Sequence, residues 1–282
     1  MLTLLFWNMN RKPLLQQCVN LARMHDVSLM ALAECHYPEE LLQALNADRD
    51  DDVQYYAFPG NNCRITIFTT MTSLYFRNLE MATRYRIDSW KTESQQEIIF
   101  VTAHARSSLR TGKSDQADEL EQLARRIELV ENERGHTRTV LMGDLNAQPF
   151  DSRVTMAKGL HAVMSREVAK RLSRSVAGKE YRYFYNPGWK FFANRHPQPQ
   201  GTYYYARAEQ NVYFWYIHDQ ILIRPALLNC LNDDDVNILV SDGVTDLGGH
   251  DGRPDGKRVS DHFPLVATMN FSEGRHDDIN HT

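Results

Sequence analysis

The sequence predicts an α/β or α+β protein with β-sheets in its core. Short apolar runs typical of buried strands alternate with amphipathic stretches typical of helices, and a long central segment is rich in β-branched and aromatic residues. With 282 residues, 42% of them hydrophobic, the chain can bury a large core. No internal repeat, low-complexity tract or Gly/Ser linker marks a boundary, so one continuous domain is the simpler organisation.

The individual elements follow from local patterns along the chain. Prolines 13 and 38 each precede apolar residues at helical spacing, which is typical of helix N-termini. The segment 114–133 repeats apolar residues on one helical face. The elements predicted in chain order are strand 2–8, helix 13–26, strand 27–34, helix 38–46, a meander of strands over 53–90, strand 97–104, helix 114–133 and strands 138–144, 213–223 and 263–269.

We predict one domain over 1–270, with an aromatic and basic insertion at about 181–214, and a polar tail over 271–282 that is expected to fray. No stretch approaches the ~20 apolar residues of a membrane-spanning helix, and the N-terminus lacks the basic region of a signal peptide. We therefore expect a soluble, cytoplasmic protein without a membrane span.

The cysteines and the net charge narrow the class further. The four cysteines are far apart and form no C-x-x-C pair, which argues against a zinc site or a dense disulfide framework. The formal net charge of −4 argues against a surface that is positive throughout, but it is compatible with a local basic groove.

Polar side chains end five of the predicted strands, and this pattern indicates a functional site. One such ending is ordinary turn chemistry, but five in one chain predict side chains that meet. Residues two apart on an extended chain share a face, so two further amides, Asn10 and Asn146, can point at the same targets. The five strand-end residues are Asn8, Glu34, His104, Asp144 and Asp219.

If these ends meet, three carboxylates gather, with Asp261 of the VSDHFP segment as a fourth. Two like charges ~4 Å apart repel by about 4 kcal/mol at an effective dielectric constant of about 20, so a cation, shared protons or a histidinium must balance them. Oxygen and amide donors without a Cys/His cage favour Mg²⁺ or Mn²⁺ over zinc. His104 and His262 can exchange protons with a reacting oxygen near neutral pH, and Asp219 is a plausible partner for His262.

Six segments of the chain resemble, in order, the endonuclease/exonuclease/phosphatase superfamily, which has the deoxyribonuclease I-like fold. They are FWNMN, LMALAE, FVTAHA, VLMGDLNAQP, YIHDQILI and VSDHFPL, and the matching positions extend from Asn8 to His262. The resemblance implies a four-layered sandwich, with two packed mixed β-sheets flanked by helices and an active site at one edge. It also implies a catalytic domain that hydrolyses phosphoesters with a divalent metal.

The resemblance further implies a metal site in which Glu34 is the principal ligand and Asn8 lies beside it. Asp261 would support the metal or the attacking water. Asn10 stands where some relatives have an aspartate, so a second carboxylate on that strand is in doubt. We expect Asn10 to contact the substrate instead.

For the reaction itself, the resemblance implies that Asp144 and Asn146 position and activate the water. His262 and Asp219 would form a histidine–carboxylate pair near the scissile phosphate, and His104 would bind the phosphate or assist the leaving oxygen. Some relatives pair the first histidine with a glutamate of the central meander, for which this chain offers Glu80, Glu93 and Glu97.

Two segments bear on the substrate. After His104, the loop ARSSLRTGK carries Arg106 and Arg110, which are placed to hold phosphates, although a solvated loop has the same composition. The segment 181–216 interleaves aromatics, among them Trp215, with basic residues, and it predicts a nucleic-acid groove with base stacking. The alternative for this segment is that its aromatics simply alternate between core and surface.

Three functions remain open. The first is a nuclease on DNA or RNA. The second is a phosphatase or phosphodiesterase on an inositol phosphate, a phospholipid headgroup or a nucleotide. Such relatives usually have a basic residue after SDH and an aromatic after GDLN, whereas this chain has Phe263 and Ala147, which favours the nuclease. The third is a catalytically silent scaffold, which the intact carboxylates and histidines argue against.

Overall fold

A computed structural model describes residues 1–47, 53–60, 62–92, 95–107, 113–208, 210 and 212–271. For residues 113–117 it describes the backbone only. The strands are β1 (Leu2–Asn8), β2 (Val27–Ala33), β3 (Tyr56–Phe58), β4 (Ile65–Thr69), β5 (Phe76–Met81), β6 (Tyr85–Lys91), β7 (Glu97–His104), β8 (Thr139–Asp144), β9 (Ala162–Val163), β10 (Ser173–Val176), β11 (Lys179–Arg182), β12 (Phe184–Tyr185), β13 (Tyr203–Tyr205), β14 (Phe214–Tyr216), β15 (Asp219–Ile223), β16 (Leu231–Ile238) and β17 (Leu265–Met269). The α-helices are α1 (Leu15–Met24), α2 (Pro38–Asn46), α3 (Lys113–Arg134), α4 (Ser152–Thr155) and α5 (Arg166–Ala169), and Pro187–Ala193 and Pro225–Cys230 form 3-10 helices.

Two mixed sheets form the centre of the molecule. The six-stranded sheet has the order β16-β17-β1-β2-β4-β3, and the seven-stranded sheet has the order β5-β6-β7-β8-β15-β12-β9. Within them β1 is parallel to β2 and β7 is parallel to β8, whereas β17 and β15 run antiparallel to β1 and β8. The carboxyl ends of β1, β2, β7 and β8 therefore meet the start of β15 and the segment before β17.

Three apolar clusters separate four layers. Alternate residues of β1 show the arrangement, because Leu4 and Phe6 lie in the core between the sheets, whereas Leu5 and Trp7 pack under α1 and α2. On the outer face of the seven-stranded sheet, Ile127 and its neighbours on α3 cover the third cluster. Each fully buried side chain of this kind contributes about 1.5–3 kcal/mol. The predicted four-layered sandwich is confirmed.

Several predicted elements are observed with the predicted bounds, namely β1, β7 and α2. The predicted strand 213–223 is wrong as one element, because the chain leaves the β13–β14 hairpin after Tyr216 and joins the seven-stranded sheet only at Asp219. Strand β16 is absent from the prediction, since its sequence LNDDDVNI is polar and its pairing with β17 is interrupted by a register shift between Leu231 and Val236.

The aromatic segment 181–214 divides between core and surface. Phe184, Tyr185 and Phe191 are buried, whereas Phe192 and Tyr213 are exposed. The aromatics of this segment therefore divide between core and surface, as the alternative interpretation expected, and base stacking stays a prediction. The predicted tail lies outside the described residues from 272 onward, and the last described residue, Phe271, packs its ring against Trp90 at 5.6 Å. In the described part of the chain, no helix is long and apolar enough to cross a membrane.

Candidate active site

Four of the five strand-end residues lie where the apolar core between the sheets gives way to polar side chains. Along β7, β8 and β15, the residues Phe100, Met142 and Ile221 point into this core, and the same alternation places His104, Asp144 and Asp219 beyond them. A single register row joins the last three, because Asp144 pairs with His104 on one side and with Asp219 on the other. Asn8 continues the corresponding row of β1 in the facing sheet.

Gly143 explains how closely the two central strands approach at this point. A Cβ atom at this position would lie 2.0 Å from the carbonyl oxygen of Ala103 on β7. Only glycine leaves room there for the backbone of the neighbouring strand. The glycine of the GDLN segment therefore serves the packing of β8 against β7 one residue before the site.

Asp144 is the centre of the site and is almost completely buried. Its Oδ2 accepts a hydrogen bond from Asn8 Nδ2 at 3.0 Å, and its Oδ1 accepts one from the backbone N–H of Asn146 at 3.0 Å. The Nε2 atoms of His104 and His262 lie 3.8 and 3.9 Å from Oδ2. Two imidazoles therefore face one carboxylate oxygen from different sides.

The predicted pair of His262 and Asp219 is present. Nδ1 of His262 lies 2.7 Å from Oδ2 of Asp219, and both residues are buried. The backbone of His262 is held by Trp7, whose Nε1 donates to the His262 carbonyl at 2.8 Å. Tyr203 packs its ring on the imidazole at 4.8 Å. These contacts leave Nε2 of His262 directed toward Asp144.

The charges of the site follow from these contacts. Burial by itself lowers the pKa of His262, but the carboxylates of Asp219 and Asp144 outweigh it and raise this pKa to about 10. Burial raises the pKa of Asp144, but His262 and His104 outweigh it, so that the pKa of Asp144 is lowered. Burial lowers the pKa of His104. Near neutral pH the site therefore holds a protonated His262, an ionised Asp144 and a neutral His104.

The single positive charge of protonated His262 does not balance the carboxylates of Asp144 and Asp219. Ligand atoms of Asp144, Asp219 and His262 lie within 4.8 Å of one another, and burial raises the pKa of Asp219 although His262 is next to it. Among the described residues, Oδ1 of Asp219 and Nδ1 of His104 are buried without a hydrogen-bond partner. Uncompensated carboxylate charge and unpartnered polar atoms fit a site that receives a divalent cation or a substrate.

The three predicted metal ligands are only partly brought together. Glu34 lies just after β2, and its carboxylate pairs with Arg11, whose Nε is 3.3 Å from Oε2. Asn8 Nδ2 is committed to Asp144, and Asn8 Oδ1 accepts from the backbone of Asn10 at 3.1 Å. Asp261 helps to raise the pKa of His262 but forms no hydrogen bond or ion pair with Glu34 or Asn8 among the described contacts.

No family model and no curated protein matches the sequence. Among solved structures, a 3′ phosphatase from Neisseria called NExo, bound to a product DNA hairpin, is similar with a TM-score of 0.57 and 15% identity over 96% of this chain and 100% of that one.

Two further structures show the same similarity. An endonuclease/exonuclease/phosphatase family protein from Leptotrichia buccalis has a TM-score of 0.56 and 12% identity over 96% of this chain and 100% of that one. The human Nocturnin catalytic domain with bound sulfate has a TM-score of 0.54 and 14% identity over 95% of this chain and 94% of that one. The chain has the fold of this superfamily.

Within this fold, the structure adds two aromatic residues to the site that the sequence did not identify. His218 lies between β14 and β15, outside either strand, and its ring is 6.4 Å from that of His262. Burial lowers the pKa of His218 to about 4, so the imidazole is neutral. Tyr203 forms an isolated bridge with His262 in addition to the ring contact. In the sequence, the only feature that pointed to His218 and Tyr203 was that both lie in aromatic segments.

The glutamates offered as partners for His104 lie elsewhere. Glu80 pairs with Arg126, and Glu97 pairs with Arg134 at the opposite end of β7. Glu93 lies outside the described residues. Among described residues, the carboxylates that act on His104 are those of Asp144 and Glu34. A partner from the central meander is therefore wrong for Glu80 and Glu97, because Glu80 on β5 and Glu97 at the start of β7 each pair with an arginine instead.

The predicted substrate-binding residues are spread around the site. Arg106 is exposed two residues after His104, whereas Arg110 lies outside the described residues. Trp215 is half-buried and packs its ring on Tyr204 at 5.2 Å. Asn10 and Asn146 both have left-handed backbones, with φ of 46°, and Asn146 Nδ2 donates to the carbonyl of Ala105 at 3.1 Å.

Proposed function

We propose that this protein is a divalent-metal-dependent phosphodiester hydrolase that acts on DNA or RNA. The observation that carries the proposal is the buried convergence of Asp144, Asp219 and His262, with His104 at the same sheet edge. Protonated His262 lies beside the ionised carboxylate of Asp144, and the carboxylate charge of the site is not fully compensated. A divalent cation would complete this compensation, and together with His262 it would bind an anionic ester. The fold similarity supports the same chemistry, since the neighbours include a 3′ phosphatase bound to DNA.

The donor set suits Mg²⁺ or Mn²⁺, because it consists of carboxylate and amide oxygens. We propose that Glu34 holds the ion with Asn8, and that Asp261 supports it. When bound, such an ion neutralises charge on the phosphate and polarises the phosphorus centre. Only 18% of the Glu34 side chain is exposed, and its partner Arg11, at 57%, can move away into solvent.

The protein's own residues supply the remaining chemistry. His262 is held by Asp219 and donates from Nε2 to a phosphate oxygen, on which charge increases in the transition state. Asp144 is ionised and accepts a proton from the attacking water, and Asn146 positions that water. His104 is neutral and binds the phosphate or assists the departing oxygen.

A nucleic-acid substrate is supported by the rings that lead away from His262. Tyr216 stacks on His218 at 5.1 Å, and Tyr213 contacts Tyr216 at 5.9 Å. Such faces stack bases at about 1–3 kcal/mol each. The two positions that favoured a nuclease over an inositol phosphatase, Phe263 and Ala147, are both buried. The aromatic surface is therefore the better support.

The test is a substrate panel with Mg²⁺ or Mn²⁺ that contains plasmid DNA, single-stranded DNA, RNA and phosphoinositides. We expect cleavage of a nucleic acid, and a loss of at least about 10²-fold in His262→Ala and Glu34→Gln. His250→Ala and Glu39→Gln are matched controls, since both side chains are exposed and neither makes any of the site contacts described above. Hydrolysis of the headgroup ester alone would contradict the nucleic-acid assignment. Wild-type rates in His262→Ala would contradict the site.

A further inference from the structure

A cleft of about 670 Å³ lies beside the candidate active site, and arginines dominate its wall. They come from separate parts of the chain, namely the residue before β4, the turn between β5 and β6, the loop after β7, and helix α3. The protein as a whole has a formal net charge of −4, so this is a local concentration of positive charge. The five arginines are Arg64, Arg84, Arg106, Arg125 and Arg126.

The cleft begins at the catalytic edge. The carbonyl of Arg64 accepts a hydrogen bond from the backbone N–H of Glu34 at 3.0 Å. Nη1 of Arg84 donates to the carbonyl of His104 at 3.3 Å. Arg106 follows His104 by two residues. Three of the arginines are therefore attached by backbone contacts or by sequence to residues of the proposed site.

The positive charges are only partly compensated within the protein. Arg126 makes a bidentate pair with Glu80, Arg125 pairs with Glu121, and Nε of Arg84 lies 3.5 Å from Glu119. The side chains of Arg64 and Arg106 form no ion pair among the described residues. Burial lowers the pKa of Arg84, the carboxylate of Glu119 opposes this shift, and the like charges of Arg64 and Arg106 lower the pKa further. An anion between these guanidinium groups would relieve their repulsion.

We propose that this arginine cleft binds phosphate groups of a single-stranded nucleic acid whose scissile phosphate lies at the candidate active site. The proposal rests on the hydrolase function proposed above. Guanidinium groups hold phosphates through paired N–H donors. Arg84 lies against His104, whereas Arg125 and Arg126 lie on α3, so a bound anion must extend outward from the catalytic edge. A strand places successive phosphates along this direction, whereas one phosphate fills only one end.

The experiment measures binding without catalysis. A fluorescein-labelled oligo(dT) of twelve nucleotides is titrated with the full-length protein in the presence of EDTA at several salt concentrations. Fluorescence anisotropy then gives the affinity of the protein for the oligonucleotide. We expect Arg64→Gln/Arg106→Gln to bind about tenfold more weakly. The slope of log affinity against log salt should decrease by about 1.4, since each lost contact with a single strand removes about 0.7. Arg77→Gln/Arg171→Gln removes the same charge from exposed sites outside the cleft and should bind as the wild type does.

Three results would overturn the proposal: no binding by the wild type, equal affinities in the two double variants, or displacement of the oligonucleotide by equimolar pyrophosphate or ATP. The last would assign the cleft to a small phosphate compound. The hydrolase proposal fails separately. If the wild type cuts nothing with Mg²⁺ or Mn²⁺ but the cleft variant still loses affinity, the cleft stands and the catalytic assignment is wrong. Cleavage with unchanged affinity gives the reverse conclusion.

Discussion

The two ends of β7 carry ionisable clusters of opposite character. At its start, Glu97 accepts hydrogen bonds from Arg134 at 2.8 and 2.9 Å and lies 3.2 Å from His136, and its carbonyl accepts from Arg138. At its end, His104 keeps a buried nitrogen without a partner among the described residues and shares Asp144 with a second histidine.

The difference separates a structural cluster from a functional one. The carboxylate of Glu97 is paired with Arg134 and the side chain of Arg138 is hydrogen-bonded to the Glu97 carbonyl, so the cluster ties α3 to the start of β7. Around Asp144 the carboxylates outnumber the cations, and polar atoms are buried without partners. A protein tolerates such a deficit where a ligand completes it. The following predictions test this distinction.

The largest expected effect is on catalysis at the end of β7. Asp144→Asn removes the carboxylate that faces both histidines and should lower the cleavage rate by about 10²- to 10³-fold. The rate on the best substrate of the panel is the measurement, with circular dichroism as the check of folding. A variant that cleaves at the wild-type rate would show that Asp144 is structural, like Glu97.

At the start of β7, the effect should be on stability alone. Glu97→Gln removes one charge from a satisfied, partly screened network, and we expect the free energy of unfolding in urea to fall by about 1–2 kcal/mol. Activity below the unfolding transition should be unchanged. Glu39→Gln, at an exposed glutamate of α2, is the control and should be nearly neutral. If Glu97→Gln lost activity but kept the wild-type stability, the assignment of a purely structural role to Glu97 would be wrong.

The stability difference between the wild type and Glu97→Gln should depend on pH. Burial raises the pKa of Glu97, but hydrogen bonds with Arg134 and His136 outweigh it, and the pKa falls below 4.5. A carboxyl whose pKa is lower in the folded state stabilises the protein above its unfolded pKa and loses this contribution as the pH falls. The wild type should therefore exceed Glu97→Gln in stability above about pH 4.5, and the two should converge below it. Urea melts from pH 3 to 7 measure the gap, and a gap that stays constant to pH 3 would contradict the assignment.

The smallest expected effect concerns the turn after β1. Lys12 N–H donates to the Met9 carbonyl at 3.0 Å, and the two residues between them, Asn10 and Arg11, have φ of 46° and 60°. Asparagine tolerates this region, but arginine does not, and glycine is the usual second residue of such a turn. Arg11→Gly should raise the unfolding free energy by about 0.5 kcal/mol, after subtraction of the entropy of a freer unfolded chain. Lys12→Gly should lower it, and a melting temperature lower in Arg11→Gly than in the wild type would show that the ion pair with Glu34 outweighs the strain.

Much of the fold was predictable because its signals are local. The alternation in LTLLFWN and EIIFVTAH placed β1 and β7 with the observed bounds. The polar residue at the end of each strand identified Asn8, His104, Asp144 and Asp219 before any geometry was known. Strand β16 was not predictable, since a polar edge strand with a register shift has no periodic apolar pattern.

Two features of the site required tertiary structure. His218 is next to Asp219, where strict alternation turns a side chain to the other face, but it lies outside both β14 and β15 and its ring is 6.4 Å from that of His262. The arginine cleft combines four separate segments of the chain, from Arg64 to Arg126, whose individual contexts are ordinary loops and a helix surface.

By itself the sequence determined which side chains end the strands and which faces of the helices are apolar, because a period of two or of 3.6 depends only on neighbouring residues. It also determined the type of chemistry, since carboxylates, amides and histidines were the only groups available at those ends. Only the tertiary structure decided which carboxylate is paired, which is left short of positive charge, and where the arginines gather. Those properties depend on distances between segments that strand register and sheet packing set, and the chain's local preferences do not encode them.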